Sequence, residues 1–209
     1  DAHEDGTFVD EAHHLAVTVW LSLSDCLPAD RNGMIQVLPG SQDVAGVPAG
    51  AGVHEWHRRY RRYLTEHLTP VPTTAGQAVF WDTRLLHGSP ANTSDRARFA
   101  LAAVLVPEGA AMIHVEALGR QARRVFAVDD HFHQAYSPVA VRHRMPEGYR
   151  ELGRHDDPVV DLDPERVRAL CDGHELPAPE RHRPTQDWVA RSGAIDGGPP
   201  QLLSVDDGS

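Results

Sequence analysis

Residues 80–101 read FWDTRLLHGSPANTSDRARFAL, and the fold follows from how that stretch divides. Residues 80–86 are apolar enough to predict a buried strand, Gly88, Pro90 and Asn92 punctuate a loop, and residues 98–106 are apolar again and predict a second strand. His87 then stands at the end of one strand and Arg98 near the start of its neighbour. A lone histidine at a strand end serves as readily in packing as in ligation, so its role depends on what the rest of the chain brings to it.

The pattern extends on both sides. Residues 15–25, LAVTVWLSLSD, alternate, with Val17, Val19, Leu21 and Leu23 on one face and Thr18, Trp20, Ser22 and Ser24 on the other. The second face is polar yet carries Trp20, which either packs in the core or lines a pocket. Residues 28–33 are turn-rich, and residues 34–38 form a short strand closed by Pro39, Gly40 and Ser41. Two strands joined by a turn predict antiparallel pairing between them. Residues 3–9 and 123–128 supply further strands, and Gly76 marks a turn before the opening stretch. Many short strands separated by turns predict an all-β sandwich or barrel.

Two helices are expected. Residues 55–68 place Trp56, Tyr60, Tyr63, Leu64 and His67 on one face, with Arg58, Arg59, Arg61 and Arg62 mostly elsewhere. Such a helix either docks by its aromatic stripe and leaves a solvated arginine face, or offers the arginines to an anionic ligand. Residues 164–172 form the other, with Pro164 in the first turn and Gly173 past the end. From residue 146 the composition shifts to charge, Pro and Gly. The expected organisation is one domain over residues 1–150 and a partly irregular extension over 151–209, with an anchor at Trp188 and Val189. There is no internal repeat.

Length and composition bound the function. A chain of 209 residues with 41% hydrophobic content is globular and long enough for a sizeable core. No apolar run approaches the roughly 18 residues of a membrane span. Twenty basic against 30 acidic residues give a net charge of -10, which repels phosphate backbones and argues against nucleic acid as a general partner. Two cysteines, Cys26 and Cys171, build no disulfide framework, so a reducing cytoplasm is the simplest location. Every basic residue is arginine, and with abundant Ala, Gly and Pro this points to a GC-rich coding sequence and to bacterial specialised metabolism. The first residue is Asp1 and a candidate ligand motif falls within the first five residues, so further chain is expected upstream.

Three histidine-acid triplets compete as metal half-sites: His3 with Asp5, His114 with Glu116, and His155 with Asp157. In a strand, residues i and i+2 share a face, so each pair can aim an imidazole and a carboxylate at one point. Asp129, His131 and His133 form a fourth cluster, the basis of a rival reading as a zinc hydrolase, but no third ligand or general base stands at a telling spacing from them. His3, Asp5 and His87 together give two imidazoles and one carboxylate. That is the facial set that leaves open positions on a ferrous ion. Arg98, or its neighbour Arg96 on the same strand face, can clamp a carboxylate through two parallel hydrogen bonds.

HEDGTF, LAVTVWLSLSD, NGMIQVLPGSQ and AVFWDTRLLHGSPANTSDRARFAL, in that order from His3 to about Pro107, resemble the phytanoyl-CoA dioxygenase family of iron(II)- and 2-oxoglutarate-dependent oxygenases. The resemblance implies a mainly β fold, a double-stranded β-helix (cupin-like jelly roll) with a few flanking helices. It implies that His3, Asp5 and His87 hold Fe(II), with 2-oxoglutarate and dioxygen as cosubstrates. It also implies that Arg98, at the family spacing from His87, binds the far carboxylate of 2-oxoglutarate, with Ser89 and Trp20 lining that site. Family members carry a sizeable segment before the His-x-Asp motif, so some cosubstrate contacts are not assignable here. Related halogenases replace the carboxylate ligand by alanine or glycine; Asp5 implies oxygenation, most often hydroxylation, of a small molecule that is anionic or carrier-linked. The alternatives are desaturation, epoxidation or ring formation, or a jelly roll that only binds a ligand. Oligomeric state is not legible.

Overall fold

The computed structural model describes residues 2–11, 13–44, 50, 56–118, 122–129, 131–137, 140–141, 145–155 and 162–174. The described residues are mainly β, with nine short strands among them in three antiparallel sheets of three. β1 (Val17–Ser22) lies between β4 (Ala78–Asp82) and β6 (Ala100–Leu105). β2 (Gln36–Val37) lies between β3 (Thr69–Pro70) and β5 (His87–Gly88). β8 (Ala122–Ala127) lies between β7 (Ile113–Leu118) and β9 (Glu151–His155). No helix among the described residues is long and apolar enough to cross a membrane.

The expected pairing of the first two strands does not occur, because the chain leaves the first sheet at Cys26, which bridges to Thr73, and β2 joins a different sheet. The expected buried strand at residues 80–86 is also corrected. The ladder ends at Asp82, a turn follows, and Phe80 is 62% exposed. Register explains this. Thr18 pairs with Trp81 and Val104, and Trp20 with Val79 and Ala102, so these residues share the inner face. Val17, Val19 and Leu21 fall on the opposite face with Phe80, Leu101 and Leu105. The polar face of the strand is the one turned inward, because it builds a site there.

The 3-9 stretch is extended, but it pairs only through single bridges, His3 with His87 and Val9 with Met112. The helix expected over 55–68 is shorter: a 3-10 turn, Arg58–Tyr60, leads into α1 (Arg61–Glu66), and Glu55 lies outside the described residues. Trp56 and Leu64 of the aromatic stripe are buried, whereas Tyr63 and His67 stack on each other at the surface with ring centroids 4.2 Å apart. α2 (Phe132–Ala135) is a single turn, and α3 (Pro164–Cys171) matches the Pro and Gly signals. Asp163 caps α3 by accepting from the amides of Glu165 and Arg166 at 2.9 Å each. Ala2, Leu38, Trp56, Leu64, Leu86, Val167 and Leu170 form the main buried cluster, which fixes α1 and α3 behind the strand ends that carry His3 and His87. A second cluster, Phe126, Val128, Phe132 and Val141, packs α2 on the third sheet. Trp188 and Val189 lie outside the described residues.

Candidate metal centre

His3, Asp5 and His87 come together where the extended segment 3–5 bridges to β5. One ligand atom from each lies within 4.8 Å of the others, and no other such group of three occurs among the described residues. His3 and His87 are joined by a reciprocal backbone pair, and the Asp5 amide donates to the Thr83 carbonyl at 3.0 Å. The extended segment 3–5 is therefore laid across the start of β5 by main-chain bonds, and alternation turns both His3 and Asp5 toward His87.

The hydrogen bonds fix which atoms remain for a metal. A carbonyl only accepts, so the 2.9 Å contact between His87 Nδ1 and the Leu85 carbonyl places the ring proton on Nδ1 and leaves the Nε2 lone pair free. Nε2 faces Asp5 Oδ1 at 3.6 Å. The other carboxylate oxygen, Oδ2, accepts from the Thr18 hydroxyl at 2.5 Å. His87 is buried, and that desolvation lowers its pKa and favours the neutral, ligating form; the Asp5 charge and the Leu85 bond oppose the shift without cancelling it, and the charge of His3 adds to it. The Trp81 ring tilts against His87 at 4.9 Å, and its buried Nε1 finds no acceptor among the described residues. Two imidazoles and one carboxylate, with one ligand atom of each convergent, suit a borderline divalent ion.

The arm expected to hold an anion is assembled beside this centre. Arg98 stands 5.0 Å over the Trp20 ring, donates to Ser89 Oγ at 3.0 Å, and also donates to the Gly33 carbonyl. Arg96 is the residue turned away, 3.4 Å from Asp30 at the surface. Gly33 has φ 84, and a Cβ there would meet the Pro90 carbonyl at 2.9 Å and Arg98 Nη1 at 3.6 Å. Only glycine lets the two loops close on the guanidinium.

Among the described residues the rival clusters form no metal group. Asp129 Oδ1 accepts from the amides of His131 and Phe132 at 3.1 and 2.9 Å, which engages it in the turn before α2, and Asp130 lies outside the described residues. His133 Nε2 meets the Ile113 carbonyl at 3.3 Å. Glu116 is buried against Arg124, whose Nη2 lies 2.5 Å away, while Asp156 and Asp157 are outside the described residues. Thr18 and Trp81 are the functional neighbours that motif reading missed. Thr18 carried a signal, since it shares the polar face of β1 with Trp20; Trp81 did not, because its place depends on register with β1.

Residues 1–100 match the phytanoyl-CoA dioxygenase (PhyH) family, so the resemblance carried by the motifs is borne out for that part of the chain. Among solved structures, the non-heme alpha ketoglutarate dependent carbocyclase SnoK from nogalamycin biosynthesis shares 23% identity, covering 72% of this chain and 54% of SnoK, with a TM-score of 0.44. The epimerase SnoN, solved in complex with Fe3+, alpha ketoglutarate and nogalamycin RO, shares 27% identity over 54% of this chain and 43% of SnoN, with a TM-score of 0.39. AviO1 from Streptomyces viridochromogenes Tue57 shares 25% identity over 51% of this chain and 41% of AviO1, with a TM-score of 0.34. The chain thus spans about half, or less, of the length of each of these three. No curated protein compared with it matches.

Proposed function

We propose that this chain, whose residues 1–100 fall in the phytanoyl-CoA dioxygenase family, is a non-haem Fe(II)- and 2-oxoglutarate-dependent dioxygenase that hydroxylates a small-molecule substrate in bacterial specialised metabolism. Its fold is read as a double-stranded β-helix, a cupin-like jelly roll, with the oxygenase domain over residues 1–150 and an extension over 151–209. The observation that carries the reading is the convergence of His3, Asp5 and His87 on one point, with Oδ2 of Asp5 and Nδ1 of His87 engaged by Thr18 and the Leu85 carbonyl.

In this reading His3, Asp5 and His87 hold iron(II). With 2-oxoglutarate and dioxygen, the metal supplies an oxidation in which the cosubstrate is decarboxylated to succinate. The chain's own residues supply orientation. The Leu85 carbonyl holds the His87 tautomer, and Thr18 holds the Asp5 rotamer. Arg98 and Ser89 receive the far carboxylate of 2-oxoglutarate, and Trp20 under the guanidinium keeps its donors in one plane. The proposed substrate is an anionic or carrier-linked small molecule. A reducing cytoplasm is the proposed location.

The test is iron-stimulated conversion of 2-oxoglutarate to succinate, with the wild type set against His87→Ala and Asp5→Ala. Turnover in the wild type and its loss in both variants is expected; undiminished turnover in His87→Ala would overturn the ligand assignment. Metal and 2-oxoglutarate binding without succinate formation would instead favour a jelly roll that only binds its ligand. The mass of the oxidised substrate separates hydroxylation from desaturation, epoxidation and ring formation.

A further inference from the structure

A cavity of about 380 Å³ opens at the surface beside Gly33, lined by the apolar residues Leu27, Pro28, Met34, Pro90 and Ala91 and by Arg31 and Thr93. Its volume suits a small organic molecule. Neither Trp20, Ser89 nor Arg98 lines it; the cavity meets the place proposed for 2-oxoglutarate only at Gly33, whose carbonyl accepts from Arg98.

Arg31 makes the cavity more than an apolar dent. It is the one non-glycine residue with a positive φ, 48°, among the described residues. For a long side chain the left-handed conformation costs on the order of 1 kcal/mol. The surrounding structure enforces it: the Arg31 carbonyl accepts from the Thr93 amide at 2.9 Å and from the Thr93 hydroxyl at 3.3 Å. The strained backbone brings a guanidinium to the cavity, and that guanidinium forms no ion pair with any described residue. Its neighbour Asp30 is taken by Arg96 at 3.4 Å and by the Leu27 amide at 2.8 Å.

An unpaired guanidinium beside an apolar cavity is complementary to one kind of ligand, a carboxylate on an apolar body. The charge fixes one end by paired donors, and the apolar lining covers one side of the other. We propose that this cavity is a second binding site, specific for a small hydrophobic monocarboxylate, with Arg31 as its anion-recognising residue. The site goes beyond the oxygenase reading and does not depend on bound metal.

Calorimetric titration of the metal-free chain with benzoate, and with benzamide as its neutral analogue, tests the proposal. Benzoate is expected to bind with Kd on the order of 1 mM, and benzamide at least roughly ten-fold more weakly. Arg31→Asn, which tolerates the left-handed backbone, is expected to weaken benzoate by roughly ten-fold. Ala91→Trp, which fills the cavity from its rim, should abolish binding, while saturating 2-oxoglutarate should leave it intact. Equal benzoate affinity in Arg31→Asn and the wild type, displacement of benzoate by 2-oxoglutarate, or no heat in the wild type at tens of millimolar each overturns it. Displacement would mean that benzoate had occupied the 2-oxoglutarate arm. Failure of the oxygenase reading is scored separately, by succinate formation.

Discussion

His3 and His87 exchange both of their backbone hydrogen bonds, at 2.8 and 2.9 Å, and their rings lie with centroids 4.4 Å apart. The main chain thus sets the distance between the two imidazoles before any metal arrives. Because these bonds use no side-chain atoms, His3→Ala should abolish metal binding yet leave stability within about 0.5 kcal/mol, as the His3 side chain is exposed. His87→Ala should cost about 1 to 3 kcal/mol as well, because its ring is buried and bonded to the Leu85 carbonyl. Urea unfolding and Co(II) titration of both variants check the contrast.

Thr18 holds Asp5 from behind, so its hydroxyl acts on the metal through the ligand. Thr18→Val should weaken Mn(II) or Co(II) affinity by roughly ten-fold or more, and Thr18→Ser should restore most of it. A loss of stability with unchanged metal affinity would assign Thr18 to packing alone.

Gly33 is the point where the loop before β2 meets the loop after β5. Gly33→Ala sets a Cβ 2.9 Å from the Pro90 carbonyl at a φ that disfavours side chains. The expected result is a loss of about 1 to 3 kcal/mol in stability, with the KM for 2-oxoglutarate raised more than kcat is lowered, because the Gly33 carbonyl helps to aim Arg98.

The legible parts of the fold were those written in local pattern. Pro164 and Gly173 bounded α3 and alternation in residues 15–25 separated the Thr18 and Trp20 face, while the preference for Arg98 over Arg96 came from the family resemblance. What was not legible depends on long-range register. The burial of Trp81 and the exposure of Phe80 follow from which residues of β1 they oppose, and nothing in their own stretch encodes that. β7 and β9 were missed because His114, Val115 and Glu116 read as a chelating triplet and the residues after 146 as a charged extension. Pairing with β8 turned both into a sheet.

Two buried groups give the stability curve opposite slopes. Burial of Glu11 raises its pKa from 4.5 to about 7; Asp82 adds to the rise, and Arg84 with the Thr83 and Thr7 side chains opposes it. The folded chain then holds the extra proton between pH 4.5 and 7, so this contribution is present below pH 4.5 and lost as pH rises through 7. His114 is the reverse: burial, then the charge of His133, lowers it to about 4. Its contribution is present above pH 6.5 and lost as pH falls toward 4. Glu11→Gln should therefore stabilise the protein at pH 8 by up to about 3 kcal/mol and have little effect at pH 4. Chemical denaturation across pH 4 to 8 reads both slopes.

Six of the eight large hydrophobic side chains that stand exposed, Leu15, Leu23, Phe80, Phe99, Leu101 and Leu105, fall by alternation on the outer face of the first sheet. An apolar patch of this kind is unusual on a free surface, and it gives a sharp contrast in cost. Phe80 and Leu101 lose little packing when truncated, so Phe80→Ser with Leu101→Ser should change stability by no more than about 0.5 to 1 kcal/mol and reduce binding of a hydrophobic dye. Leu86, fully buried in the cluster behind His87, should cost about 2 to 5 kcal/mol on truncation to alanine. Unfolding midpoints of the two variants decide it: a cost for the double serine variant as large as that of Leu86→Ala would mean that the outer face is packed against another part of the protein in solution.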